Sequence, residues 1–439
     1  MLSRQLSARE VAMDLVDYVD RIWDGRLSVD EYHTGSPQEE ENAARLHADG
    51  LSRVAEGVAF WPGRSNVVVF DAGEGLLLVD SGEKRTWPLF WEHLRQWSEM
   101  AVETVVLTHG HPDHTGGLWG LDAEAGRAGL AKPHVIAHEA VLRRFEKYGR
   151  SFEYNAIVNR RQFQDPTITW PAEYRYPDET YCDRLELRRG DIVWELHHGR
   201  GETDDATWVF LPSRKILCCG DFFMWVAPNA GNPQKSQRYV GEWAKALRRM
   251  IALGPEILLP GHGFPIFGRD RVETALGDTA SYLESLEGQT LELMNEGAGL
   301  DEVLATVRAP EELLTRPYLR PVFDDAEFLV RNVWRYYGGW YDGNPARLKP
   351  ARDKAVAVEL CRLAGGARAV SERGLEIAEE GDLRLATHLV YLAVLASSGD
   401  GFAVESCSKV LARRAEEERS SMARAIFAEA AVRVRNPAG

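Results

Sequence analysis

One segment constrains the chain more than any other: Glu103-Thr104-Val105-Val106-Leu107-Thr108-His109-Gly110-His111-Pro112-Asp113-His114-Thr115-Gly116-Gly117. An apolar strand runs straight into four side chains able to bind a metal, His109, His111, Asp113 and His114. On a tight turn such a set faces one cavity from both sides, and imidazole with carboxylate suits Zn²⁺ or a similar first-row ion. Two histidines at i and i+2 can share one ion while the Asp113-His114 pair bends to a second. The small residues Gly110, Gly116 and Gly117 let the backbone pass close to the ions.

Three more strand ends repeat the pattern. Glu202 sits in a Gly-flanked loop after DIVWELHHGR, KILCC ends in Gly220-Asp221, and PEILLP ends in Gly261-His262. Strand ends are where an α/β scaffold converges groups from distant parts of a chain. Capping and turn residues explain any one of these ends, but not all four together.

At 439 residues the chain is too long for one typical core and divides into two or three domains. Residues 1–50 open as a helical extension, with Val11, Leu15, Val16 and Tyr18 near helical spacing before a polar stretch at Gly35-Ser36-Pro37. Residues 51–309 read as the catalytic α/β domain. The runs from Val67 to Phe70 and from Leu76 to Val79 form a predicted hairpin, and further strands are expected at 102–107, 135–137, 192–196, 207–211, 216–219 and 257–259. Helices are expected at 91–97, 243–253 and 274–296, while the stretch 310–350 reads as an aromatic, Pro-bearing connector. Residues 310–439 make the last, helical unit, with breaks at Gly365-Gly366, Gly381-Asp382 and Gly399-Asp400-Gly401.

Lys and Arg total 52 against 67 Asp and Glu, a net charge of −15. So acidic a chain repels phosphate backbones and anionic lipid, so neither nucleic acid nor a membrane is an expected partner. The five cysteines form no CxxC pair, which argues against a disulfide framework or a thiolate zinc knuckle. With neither a signal-peptide core nor a stretch long enough to span a membrane, the expected location is the cytoplasm.

HxHxDH followed by a ligand loop, a strand-end Gly-Asp and a strand-end Gly-His resembles the metallo-β-lactamase-fold hydrolases over about residues 51–270. The resemblance implies an αββα sandwich followed by an all-α domain. Most members place a His in the third ligand loop; Gly201-Glu202-Thr203-Asp204-Asp205 has Glu instead, which is similar to the alkylsulfatase branch. The run Arg335-Tyr336-Tyr337-Gly338-Gly339-Trp340-Tyr341-Asp342-Gly343-Asn344-Pro345 resembles the signature leading into that branch's helical dimerisation domain.

What the resemblance implies is a homodimeric enzyme with two Zn²⁺ (the donor set also accepts Mn or Fe). His109, His111 and Glu202 would hold one ion, Asp113, His114 and His262 the other, with Asp221 bridging. A metal-bound hydroxide would attack a small or medium alkyl sulfate-type ester, an anionic small molecule, with Asp113 and Asp221 as the catalytic carboxylates. The same site used on a lactone, thioester or amide, or retained in a non-catalytic metal-binding scaffold, are the other readings.

The chain departs from that branch where sulfate would be gripped. DFFMWVAPNAGNPQKSQRYVGEW supplies Asn229 but no Arg-Gly pair, leaving Lys235 and Arg238 as the nearest cations, and Lys lacks the bidentate fork of Arg. The family's Ser-His-Asn-Val-Arg segment reads Glu327-Phe328-Leu329-Val330-Arg331, so Arg331 remains without the His. Several tempting residues have plainer readings: His388 packed on an apolar helix face, Cys218-Cys219 as a buried pair, and Phe222 to Trp225 as either substrate wall or core. One of His197 and His198 either supports a metal ligand or is an ordinary strand-end residue.

Overall fold

The computed structural model describes residues 15–26 and 50–436. A seven-stranded sheet has the order β1-β2-β3-β4-β5-β6-β7. Its strands are β1 (Ser52–Ala55), β2 (Val58–Trp61), β3 (Val67–Asp71), β4 (Leu76–Val79), β5 (Val102–Val106), β6 (His134–His138) and β7 (Glu179–Tyr181). A six-stranded sheet in the order β13-β12-β11-β10-β9-β8 faces it. Its strands are β8 (Arg184–Arg189), β9 (Ile192–His198), β10 (Thr207–Leu211), β11 (Ile216–Gly220), β12 (Ile257–Pro260) and β13 (Ile266–Phe267).

The predicted hairpin is β3–β4, paired antiparallel with Phe70 opposite Leu77. Strands β4, β5, β6 and β7 run parallel, as do β11 and β12. Parallel strands end at the same edge, so the ends of β5, β11 and β12 bring their ligand loops to one rim.

Both faces of the first sheet are buried, and the period-2 alternation of a strand sorts its side chains between two cores. Val58, Phe60, Val68, Phe70, Leu77, Val79 and Ile136 point between the sheets. Ala59, Trp61, Val67, Val69, Leu76 and Leu78 point the other way, toward an outer helical layer. That layer contains α2 (Trp87–Trp97), α4 (Leu118–Ala128) and α5 (Ala140–Arg150), following α1 (Leu15–Trp23) and the single-turn α3 (Pro112–Thr115) in chain order. The polar stretch expected around Gly35 and the start of the N-terminal helical pattern at Val11 lie outside the described residues.

Helix α6 (Phe152–Phe163) follows α5, and α7 (Val240–Ala252) and α8 (Arg269–Asn295) cover the outer face of the second sheet. After α9 (Leu300–Thr306) and the short α10 (Glu311–Leu314), the expected connector contains a 13-residue helix, α11 (Ala326–Gly338), capped by Asp325 accepting from Glu327 N. Its Leu329, Val330 and Val333 pack into the core of the sandwich. The helix is real because those apolar residues recur at helical spacing; the flanking aromatics and prolines masked it.

A separate core begins at Cys361 and is built from α12 (Asp353–Leu363), α13 (Ala367–Glu379), α14 (Leu383–Ala396), α15 (Gly401–Glu417) and α16 (Ser421–Arg435). The breaks expected from sequence work as paired stops and starts. Asp382 caps α14 through Leu385 N, and Asp400 caps α15 through Phe402 N and Ala403 N. His388 is exposed, contrary to its packed reading; Ala386 and Val390 carry that helix's contact.

The helical core also touches the sandwich. Ser420 Oγ, the cap of α16, donates to Phe323 O at 2.7 Å, and Ser421 N donates to Val322 O at 2.8 Å. Farther along α16, Ala425 O accepts from Gln164 Nε2 at 3.2 Å and Glu429 pairs with Arg161 of α6 at 3.5 Å.

Candidate metal centre

His109, His111, Asp113 and His114 follow β5 directly; Glu202 lies between β9 and β10, Asp221 follows β11, and His262 follows β12. The structure brings all seven together in three overlapping groups, each with ligand atoms within 4.8 Å of one another: His109, His114, Asp221; Asp113, His114, His262; and His111, Glu202, Asp221. Asp221 and His114 each belong to two groups. His109 Nε2 lies 3.4 Å from Asp221 Oδ2, and His114 Nε2 and His262 Nε2 lie 3.3 and 3.5 Å from Asp221 Oδ1.

These residues fit a pair of cations. Asp221 Oδ1 is buried with no hydrogen-bond partner, a costly state for a carboxylate oxygen that a cation would relieve. His114 Nε2 and His262 Nε2 face each other at 3.3 Å. Their other nitrogens are already engaged: His114 Nδ1 with Asp80 Oδ2 at 2.8 Å, and His262 Nδ1 with Arg64 O. His109 Nδ1 is likewise engaged, with Thr108 Oγ1 at 3.0 Å. Such partners fix each ring so that its remaining nitrogen turns inward.

Charge in the cluster is correspondingly polarised. Burial lowers the basicity of His109 to about 4, helped by His114 nearby. Burial also opposes a proton on His114, but the Asp221, Asp80 and Asp113 carboxylates outweigh it and raise its pKa well above the usual range. Asp221 is held ionised against its burial by His114, His262 and His109.

Two backbone features make the crowding possible. A Cβ on Gly261 would sit 2.4 Å from Asp221 Oδ1 and 3.0 Å from His114 Cε1, so no larger residue fits between these two side chains. Asp80, at the end of β4, has φ 63, a left-handed conformation unusual for a non-glycine residue. Its carboxylate accepts from Thr108 N and Thr108 Oγ1, both at 2.7 Å, while holding His114. That stored strain fits a residue whose position matters more than its comfort. Asp80 carries the same signal as the other ligand loops, an apolar strand ending in an acid near a glycine, but was not among the expected residues.

Glu202 is buried. Arg238 Nη1 lies 2.6 Å from its Oε1 and also donates to its backbone oxygen at 2.6 Å, and Asn229 Nδ2 donates to Oε1 at 2.5 Å. Burial raises the Glu202 carboxyl to about 7 against the pull of Arg238. Arg238 and Asn229, expected to grip substrate, therefore have their donors turned to a candidate ligand. On the opposite side of the cluster, Asp205 accepts from Gly110 N at 3.0 Å and from Arg144 Nε at 2.7 Å. Arg144 also pairs with Asp204. This bracket across the HxH turn went unrecognised in the sequence.

A cavity of about 1040 Å³ opens over the cluster, lined by His111, Asp113 and Glu202 at its base. Lys235 reaches it from the loop after β11, with Nζ 3.2 Å from Asn159 Oδ1 and 5.2 Å from the centre of the Trp170 ring. Burial, then Arg238, lowers its pKa to about 8. Arg331 is not part of this wall: it lies half-exposed on α11, paired with Glu327 one turn away at 3.2 Å. Its helix turns it away from the site. Phe222, Phe223 and Trp225 are buried in the core and do not line the cavity. His198 stacks on His138 with ring centres 3.6 Å apart, and His197 stacks on Trp208 and bonds Glu195. Cys218 and Cys219 are free and buried.

The family model for the metallo-beta-lactamase superfamily matches residues 60–262, and the one for alkyl sulfatase dimerisation matches residues 299–437. A linear primary-alkylsulfatase of Pseudomonas sp. is 24% identical over 369 residues, covering 76% of this chain and 67% of that protein. The alkyl/aryl-sulfatase BDS1 of Saccharomyces cerevisiae is 24% identical over 429 residues, covering 89% of this chain and 65% of that protein. A stereoselective inverting sec-alkylsulfatase from Pseudomonas sp. has the same fold, with a TM-score of 0.77 at 23% identity over 89% of this chain and 66% of that one. The chain thus spans about two thirds of the length of these relatives. The two family matches follow one another along the sequence, so the chain carries a metallo-beta-lactamase superfamily domain followed by an alkyl sulfatase dimerisation domain.

Proposed function

We propose that the chain is a dinuclear zinc-dependent hydrolase of small or medium sulfate esters, working as a cytoplasmic homodimer. The observation that carries this reading is Asp221, shared between two groups of ligand side chains with one oxygen unpartnered, at the base of a cavity that also holds a buried lysine. His109, His111 and Glu202 would hold one ion and Asp113, His114 and His262 the other, with Asp221 between them. When bound at these residues, two such cations would supply Lewis acidity and would lower the pKa of a water toward neutrality.

The chain's own residues supply the rest. Asp113 lines the cavity and has its pKa lowered, burial being outweighed by His114 and His262, so it stands ionised to accept the proton of an attacking water. Lys235 faces the same space as the buried cation for an anionic ester group. Arg238 and the Asn229 amide nitrogen hold Glu202 in place rather than gripping the sulfate group.

Homodimerisation is supported by the matched dimerisation domain and by apolar side chains left in solvent on α12, with Leu360 46% and Leu363 81% exposed. Among the described residues no helix is long and apolar enough to cross a membrane. The five free cysteines agree with a reducing compartment.

The test is sulfate release, followed by ion chromatography, from zinc-loaded protein given short and medium, primary and secondary alkyl sulfates. Glu202→Ala protein is the blank. Release that vanishes in the variant supports the reading. No release from protein holding two metals per chain sinks it and turns attention to thioesters, the substrate class named for a relative from Aspergillus fumigatus that is 24% identical over 203 residues, an atrochrysone carboxyl ACP thioesterase.

A further inference from the structure

Helix α6 buries two amides beside its apolar Ala156 and Val158. Tyr154 and Ile157 are 62% and 50% exposed, while Asn159 and Gln162 are 5% and 6% exposed and line the cavity. A helix face turned inward is ordinarily apolar, so buried amides there call for a reason. Asn232, 4% exposed, faces them from the loop after β11 and donates through Nδ2 to Gln162 Oε1 at 3.2 Å. Lys235 Nζ ties Asn159 into the same wall. Asn229 completes it: its donor is committed to Glu202, and its Oδ1 is buried, unpartnered and therefore an acceptor awaiting a donor. An anionic ester group offers no donor, so this oxygen suits a hydroxyl and not the sulfate. Trp170 and Phe163 add aromatic rings to a lining that also holds Arg64, Lys84 and Arg85.

We propose that this cavity selects sulfate esters of hydroxylated carriers, a sugar or similar polyol, over esters of plain alkyl chains. The inference rests on the sulfatase reading above and specifies its substrate class. A polyol ring presents C–H faces that pack on aromatic rings and hydroxyls that both donate and accept, which amides can satisfy. Asn159 and Asn232 are already paired within the protein, Asn159 Nδ2 donating to Asn155 O at 2.7 Å and Asn232 Oδ1 accepting from Gln234 N at 3.0 Å. A methylene chain laid along the wall would still leave Asn229 Oδ1 buried without a donor, and such a loss discriminates strongly between substrates.

The experiment compares kcat/KM for glucose 6-sulfate and hexyl sulfate, primary esters with equal carbon number, using full-length zinc-loaded protein of measured metal content. The sugar ester is expected to be favoured by about tenfold or more. Equal turnover, or a preference for hexyl sulfate, overturns the inference and leaves the sulfatase reading intact. Release from neither ester by protein holding two metals per chain overturns both. Gln162→Leu, a change in volume small enough for the wall to accept, is expected to lower the ratio of the two values by about tenfold, and an unchanged ratio removes the amide wall from substrate choice. The ratio is insensitive to the fraction of variant that folds.

Discussion

Glu202 illustrates how much of a metal site lies in what surrounds the ligands. It is a carboxylate buried beside a buried guanidinium, so truncating it removes a candidate ligand and also strands the Arg238 charge. Losing one partner of a buried pair costs about 3–5 kcal/mol. Glu202→Ala is therefore expected to lose about one metal per chain by elemental analysis, together with activity and several degrees of thermal stability. Retention of two metals and full activity would remove Glu202 from the ligand set. Lys235 carries a different prediction. It is charged below its pKa of about 8 and neutral above, so KM for an anionic ester is expected to rise with pH through that value. Lys235→Met should abolish that rise and increase KM for an anionic ester more than for a neutral one; equal effects on both would place Lys235 outside the binding site. That the seven side chains of the cluster would converge was legible in the sequence because each sits at a strand end, where the signal is a few adjacent residues. Asn159 and Gln162 were not, because amides on a helix pattern read as solvent-facing until the fold shows which way the helix is turned.

Among the elements, α11 and the turn before it contribute most that the sequence concealed. Asp324 is wholly buried there and accepts from Gly231 N at 2.7 Å and from Asp325 N at 2.9 Å, fastening the loop that carries Asn229 and Asn232. Burial raises its pKa to about 7, above the value for an exposed aspartate, and backbone donors only partly offset this. A carboxyl whose pKa is raised by folding stabilises the native state below its unfolded pKa and loses that contribution as pH rises toward 7. Between pH 4 and 8 the wild-type unfolding free energy from urea titrations should carry a downward component on the order of 3 kcal/mol from this group, seen as a falling midpoint. Asp324→Asn should remove that component, and parallel midpoint curves for the two proteins would show that Asp324 does not titrate in this window. Strands β3 to β6 and β9 to β12 were readable because branched apolar runs bounded by glycines have few alternatives. β8, Arg184–Arg189, was not, because its charged side chains gain a strand conformation only by pairing with β9.

At the level of the whole molecule, the order of units was legible from composition alone, since strands cease after β13 and helices with regular Gly-Asp breaks follow. The way they join was hidden, because it depends on contacts between α6 and α16 that lie far apart in sequence. Assembly is the matching prediction: Leu363→Asp is expected to shift the particle from dimer to monomer in light scattering at micromolar protein, and an unchanged mass would put the interface elsewhere. The seating of α16 on α6 has a further consequence for how this chain can vary over generations. Residues of α6 line the cavity on one side and bear a helix of the C-terminal domain on the other. A lineage drifting toward a new substrate through this wall would have to carry compensating changes in α16, so covariation between the two helices should trace the history of its diet.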